Sequence, residues 1–152
     1  MSLHSQLIQL LDSHGCVYQL THHEAMGKSE EVARLRGVDP HTGAKALVTK
    51  GQRTGTHYLF VIPGDMKLHN GKAKKVVGED VDFSREVEVV TGCVPGSVPP
   101  FGSILGLRTI VDPHLGENEI INFNAASLTD SVAMAYTEYL RIEKPEIVEV
   151  AK

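Results

Sequence analysis

The chain has no tryptophan, few other aromatics, only two cysteines in 152 residues, and no excess of basic charge. Each shortage excludes something. With so few rings, a surface that stacks successive bases of a nucleic-acid strand is not expected. Cys16 and Cys93 form no CxxC pair and are too few for a disulfide framework, so each reads as a small buried hydrophobe. A formal net charge of −4 argues against a dedicated duplex-binding protein, and DNA is not expected as a partner. A local basic patch is still open to it. The densest candidate is Lys67, Lys72, Lys74 and Lys75, with Lys50 and Arg53 in another loop, although such runs are more often solvated faces. No apolar stretch approaches the ~18 residues that span a bilayer. Met1-Ser2-Leu3-His4 is not a basic region followed by an apolar run. The expectation is a soluble, cytoplasmic protein with no membrane partner.

Catalytic motifs are scarce too. The eight histidines show no HxH, HExxH or HxxxH spacing. Neighbouring His22 and His23 cannot both face one metal from a strand, because successive side chains point to opposite sides. There is no GxSxG elbow, no GxxxxGK[ST] and no GxGxxG. No metal site is predicted.

What is present is a core-forming pattern. Apolar residues make up 41% of the chain, and a length of 152 residues is most simply one domain, 1–152. Leu3, Leu7, Leu10 and Leu11 fall at helical spacing before Gly15, and Cys16 to Leu20 reads as a strand. Ser29 with Glu30 and Glu31 predicts an N-capped helix ending at Gly37. Ala44–Val48 and His57–Ile62 predict adjacent antiparallel strands closed by Pro63-Gly64. A short helix from Asn70 should stop at Gly78. Ser84 to Thr91 fits either a strand or a capped helix. Strands follow at Arg108–Val111 and Glu119–Phe123, split by the Asp112-Pro113 turn, then at Ser131–Met134. Thr137–Arg141 should form a closing helix, and Ile147–Val150 a last edge. Strands without long helical crossovers predict α+β with a mixed or antiparallel sheet.

Two features invite a chemical reading. Lys45 is the one charged side chain in an otherwise small or apolar strand. It either points outward from a half-exposed face or enters a cleft, where it would hold a phosphate or carbonyl as a point charge. The second is GCVPGSVPPFG, residues 92–102, with three glycines and three prolines. As structure it is a wide, stiff connection. As chemistry, prolines remove N–H groups and glycines permit close approach, so the few remaining N–H groups can aim at one carbonyl oxygen.

TGAKALV around Lys45, the loop GCVPGSVPPFG and the segment IINFNAASLTDSVAM, in that order, resemble the YbaK-type aminoacyl-tRNA deacylase domain. That domain also occurs as an insertion in bacterial prolyl-tRNA synthetases. The resemblance runs from the Thr21-His22-His23 region to the C-terminal helix. It implies a compact α+β domain with a mixed, largely antiparallel, barrel-like sheet and flanking helices, and a helix at Ser84–Thr91. By the same resemblance Gly96, Ser97, Val98 and Pro100 form the catalytic loop, whose N–H groups position the ester carbonyl. Lys45 falls on the lysine that contacts the tRNA acceptor end, and His22, Asn124 and Ser131 fall near the substrate. Asn124 and Ser131 stand where some members carry serine and aspartate, so this chain departs from that version.

The implied activity is hydrolysis, in trans, of a mischarged aminoacyl-tRNA ester, with no metal, cofactor or covalent intermediate. The expected edited residue is a small amino acid on a proline-accepting or related tRNA. The implied partners are an aminoacyl-tRNA acceptor end and a prolyl-tRNA synthetase. The alternative is a non-catalytic module that binds tRNA ends or a synthetase on the same fold.

Overall fold

The most apolar run of the chain, His57–Pro63, is also the most enclosed, because it is the central strand of a five-stranded sheet. A strand buried on both faces needs no alternation, which is why YLFVI reads as continuous. The computed structural model describes residues 1–24 and 39–152. The helix expected between Ser29 and Gly37 lies outside them.

Eight strands are described: β1 (Tyr18–His22), β2 (Ala44–Gly51), β3 (His57–Pro63), β4 (Val81–Phe83), β5 (Arg108–Val111), β6 (Ile120–Asn124), β7 (Asp130–Ala135) and β8 (Glu146–Ile147). The larger sheet has the order β4-β2-β3-β5-β8. Its β2–β3 hairpin is antiparallel, registering Ala44 with Pro63 and Lys50 with His57, while β5 runs parallel to β3 and to β8. The smaller sheet, β1-β7-β6, is antiparallel throughout. A single parallel bridge from Gly43 to Asn122 joins the two. The expected α+β class with mixed strands is what forms, but the strands make two open sheets and not a closed barrel.

Five α-helices are described: α1 (Leu3–Ser13), α2 (Asn70–Val77), α3 (Val87–Thr91), α4 (Gly102–Leu105) and α5 (Tyr136–Glu143). Ser2 caps α1 by accepting the Ser5 N–H, and Leu7 and Leu11 of its apolar stripe are fully buried. Gly78 ends α2 at φ +82°, donating its N–H to the Lys74 carbonyl at 2.7 Å. Of Ser84–Thr91 only Val87–Thr91 forms the helix α3, with Glu86 and not Ser84 at its N-cap, and it leads into the glycine- and proline-rich loop. The last edge strand is only Glu146–Ile147, shorter and earlier than expected.

Two cores result. The larger takes Leu7 and Leu11 from α1, Val48, Leu59 and Val61 from one sheet, Ile121, Phe123 and Val132 from the other, and Tyr139 from α5. The smaller lies against the opposite face of the five-stranded sheet, with Phe60, Ile62, Leu68, Ala73, Ile110 and Val150. Asp112 ties the C-terminal tail to this frame. Its fully buried carboxylate accepts the N–H groups of Val150 at 2.7 Å, Ala151 at 2.8 Å and His114 at 2.8 Å. Burial pushes the Asp112 pKa up, but these backbone bonds and the His114 ring outweigh it and hold it below the usual value.

Candidate active site

Residues 92–102 are not regular structure until α4 begins at Gly102, yet most of the loop is rigidly seated. Cys93, Ser97, Val98 and Phe101 are buried. Phe101 meets Phe123 and Tyr139 edge-on, with ring centroids 5.6 and 5.1 Å apart. A fully buried phenylalanine contributes about 1.5–3 kcal/mol, enough to pin one end of a short loop. The Tyr139 hydroxyl donates to the Pro100 carbonyl at 2.7 Å. Gly102 donates to Thr109 Oγ1 at 3.0 Å, and a Cβ there would sit 2.1 Å from that oxygen, so only glycine fits. Thr109 and Ser103 in turn donate to Glu143 at 2.8 and 2.6 Å. Burial raises the Glu143 pKa against these bonds.

The exposed apex is Gly96, at φ +89°. Of the N–H groups in the stretch 96–100, that of Ser97 is already committed to the Val94 carbonyl at 3.0 Å, as is its hydroxyl at 2.7 Å. Pro99 and Pro100 have none. The N–H groups of Gly96 and Val98 have no protein acceptor among the described residues. Within the stretch 96–100 they are the two donors left.

The other side of Gly96 is held by side chains from the smaller sheet. Asn124 Nδ2 donates to the Gly96 carbonyl. Ser131 Oγ lies 3.3 Å from Asn124 Oδ1 and 2.6 Å from His23 Nε2, and Ser131 is fully buried. Lys45 lies on β2 of the larger sheet. Ala44, Ala46 and Val48 turn into the larger core, as do Ile121 and Phe123 on β6 and Ala125 just after it. By alternation Lys45, Asn122 and Asn124 therefore turn away from it, and the Gly43–Asn122 bridge sets the two strands side by side there. Lys45 Nζ donates to the Met66 carbonyl at 2.7 Å. Lys45 pairs in register with Ile62 of the smaller core, so its side chain lies on the face of β2 opposite Ala44, Ala46 and Val48.

Across residues 23–142 the sequence matches the family model described as an aminoacyl-tRNA editing domain. The chain belongs to the aminoacyl-tRNA editing domain family. Over 151 residues it is 37% identical to the multifunctional Ser/Thr-tRNA deacylase ProXp-y of Escherichia coli (strain K12), spanning 95% of this chain and 90% of that protein. A proline--tRNA ligase of Nautilia profundicola is 35% identical over 104 residues, which are 65% of this chain but 18% of the ligase. Two solved structures share the fold at 23% identity. A hypothetical protein superposes with a TM-score of 0.88, covering 97% of this chain and 99% of its own. A proposed trans-editing enzyme for prolyl tRNA synthetase superposes at 0.82, covering 100% and 99%.

Other expected site residues of this editing domain sit differently. His22 is exposed and pairs with Asp130 at 3.1 Å, outside the hydrogen-bonded group around Gly96. Its neighbour His23 takes the inward place, which the strand alternation could have signalled. Cys93 is buried, and burial pushes its thiol pKa up, away from the thiolate form. The lysine patch is interleaved with acids. Lys72 pairs with Glu149 at 2.6 Å, Lys74 with Asp80 at 3.4 Å and Lys50 with Glu86 at 4.0 Å. Among the described residues, no group of three or more His, Cys, Asp or Glu side chains is arranged to hold a metal, and no helix is long and apolar enough to cross a membrane. Sequence reasoning missed Tyr139 and the Met66 carbonyl, and neither has a motif that could have announced it.

Proposed function

We propose that this chain, as a single editing domain, hydrolyses the ester of a mischarged aminoacyl-tRNA in trans, with a serine or threonine ester as its substrate. The observation that carries the reading is the Gly96 apex. Its carbonyl is fixed by Asn124, while the N–H groups of Gly96 and Val98 are open to an anion. Water adds to the ester carbon, the developing oxyanion takes the loop N–H groups, and the acyl–oxygen bond breaks. The products are the free amino acid and a ribose hydroxyl, which receives the proton that water gives up. The hydroxyl next to the ester orients the water, and Lys45 anchors the terminal nucleotide. Such a scheme suits an ester already labile in water, since positioning and electrostatics suffice.

The hydroxylated amino acid is supported by the ProXp-y relative. Similarity to a proline--tRNA ligase supports a synthetase as the partner that releases the substrate.

The test is a deacylation panel of purified seryl-, threonyl-, alanyl- and cysteinyl-tRNAs, with EDTA present in a parallel series. Hydrolysis of the seryl and threonyl esters, unaffected by chelator, is expected. Binding without hydrolysis would instead make this a tRNA-end module on an editing fold.

A further inference from the structure

The relay behind Gly96 has a direction that its atoms dictate. The Gly96 carbonyl accepts only, so the Asn124 amide must present Nδ2 to it and Oδ1 to Ser131. His23 Nδ1 lies 2.7 Å from the Glu24 carbonyl, again an acceptor, so that nitrogen carries a hydrogen. His23 Nε2 then accepts from the Ser131 hydroxyl at 2.6 Å, and since that single hydrogen cannot also serve Asn124 Oδ1, Ser131 Oγ meets the amide oxygen as a packing contact at 3.3 Å. Ser131 is fully buried at 0% exposure and cannot act as a nucleophile toward a tRNA ester. What it can do is transmit the place of the imidazole to the Asn124 amide, and through it to the Gly96–Ser97 peptide.

We infer that His23 is a positioning residue for the oxyanion loop, acting on Gly96 through Ser131 and Asn124. The inference rests on the deacylase reading for its catalytic consequence, but its structural content does not. Gly96 sits at an exposed apex with a positive φ that favours glycine, and since its peptide to Ser97 is held at the N–H end by Val94, the Asn124 bond supplies the hold at the carbonyl end. The relay supplies that hold from a strand of the other sheet. Rotation of the Gly96–Ser97 peptide would turn the neighbouring N–H groups away from a common point. Geometry within ~0.5 Å is what such donors need.

The experiment has two arms. In the first, backbone and side-chain amide NMR spectra of wild type, His23→Ala, His23→Gln and Ser131→Ala are compared without substrate. Expected are shifts of the Gly96, Ser97 and Val98 amides and of the Asn124 side-chain amide in both alanine variants, with the rest of the core unchanged. His23→Gln, whose amide reaches where Nε2 stood, should restore most of the wild-type positions. Unmoved loop amides in His23→Ala and Ser131→Ala overturn the inference, whatever the activity. In the second arm, His23→Ala should lower kcat at least tenfold with KM nearly unchanged, short of the ~10²–10³ lost with a direct oxyanion donor. His23→Ala and Asn124→Ala together should cost little more than Asn124→Ala alone. Additive losses, or a loss confined to KM, overturn it as well. A wild-type protein that hydrolyses no ester would remove the deacylase reading, and the first arm would still decide the relay.

Discussion

Two loops of this protein carry glycines at their bends, and they are fastened in opposite ways. The β2–β3 connection, residues 51–56, is held by its N–H groups. Buried Glu79 accepts those of Arg53 at 2.9 Å and Thr54 at 3.0 Å, the Thr54 hydroxyl at 2.5 Å and the Tyr58 hydroxyl at 2.8 Å. Gly51, Gln52 and Gly55 donate to Thr56, Asp80 and Gly51 carbonyls. Nothing is left for a ligand. The loop at 92–102 is held in large part by its carbonyls, on Val94, Gly96 and Pro100, and by the rings around Phe101, with the N–H groups of Gly92, Cys93, Ser97 and Gly102 also bonded. A loop fastened by its acceptors keeps donors in hand, and donors are what an oxyanion requires.

Gly96→Ala should break the comparison most severely. At φ +89° a Cβ is strained by about 1–2 kcal/mol, and the apex peptide must move. We expect a ~10²–10³-fold fall in deacylation turnover with a melting temperature only a few degrees lower. Wild-type turnover in a folded Gly96→Ala protein would dismiss the backbone donors.

Tyr139→Phe tests the carbonyl fastening. It leaves the buried Pro100 carbonyl without its donor, at about 1–3 kcal/mol. For a chain of this size that lowers Tm by roughly 2–12 °C. Turnover should fall more than ground-state tRNA affinity does. An unchanged Tm would mean that Phe101 alone seats the loop.

Glu79 sharpens the other side. Hydrogen bonds from Thr54 above all, with those of Tyr58 and Arg53, lower its pKa from 4.5 to about 2. A depressed carboxylate stabilises the fold above its unfolded pKa and loses that contribution as pH falls through the folded one. Wild type should therefore lose stability between about pH 4.5 and pH 2, and Glu79→Gln should show a flatter Tm in that window and a lower Tm at neutral pH. Neutral-pH deacylation should survive, since this loop presents nothing to substrate. A large loss of turnover would erase the distinction between the two loops.

The smallest effect is expected at Lys72→Ala. Its ammonium is already paired with Glu149 on the surface, so Tm and tRNA affinity should barely change. Filter binding with a salt titration checks this. A marked drop in affinity would restore the lysine run as a tRNA contact.

The elements were legible where local physics decides them. The leucine stripe of α1, the cap at Gly78 and the apolar run of β3 are sequence periodicities and stop signals, and the structure keeps them. Ser84–Thr91 was not legible by itself, because Glu86-Val87-Glu88-Val89 alternates like a strand while the chain needs a short turn into the loop. The same holds at the site. A glycine and proline pattern announces a loop that withholds most of its N–H groups, and a lone strand lysine announces a charge in an apolar setting. Which donors stay open is another matter. Ser97 loses its N–H to a turn inside the loop, and Gly96 is held by Asn124 from a different sheet.

The sequence by itself determined that this is an α+β editing-type chain with a stiff glycine–proline loop, since those properties lie in spacing and residue type. The long-range packing settles that His23 and not His22 reaches Ser131, that Tyr139 holds Pro100, and that Lys72 of the basic run pairs with Glu149. The partners in those contacts are 39 to 108 residues apart or meet across separate elements, and no local periodicity encodes a pairing of that kind.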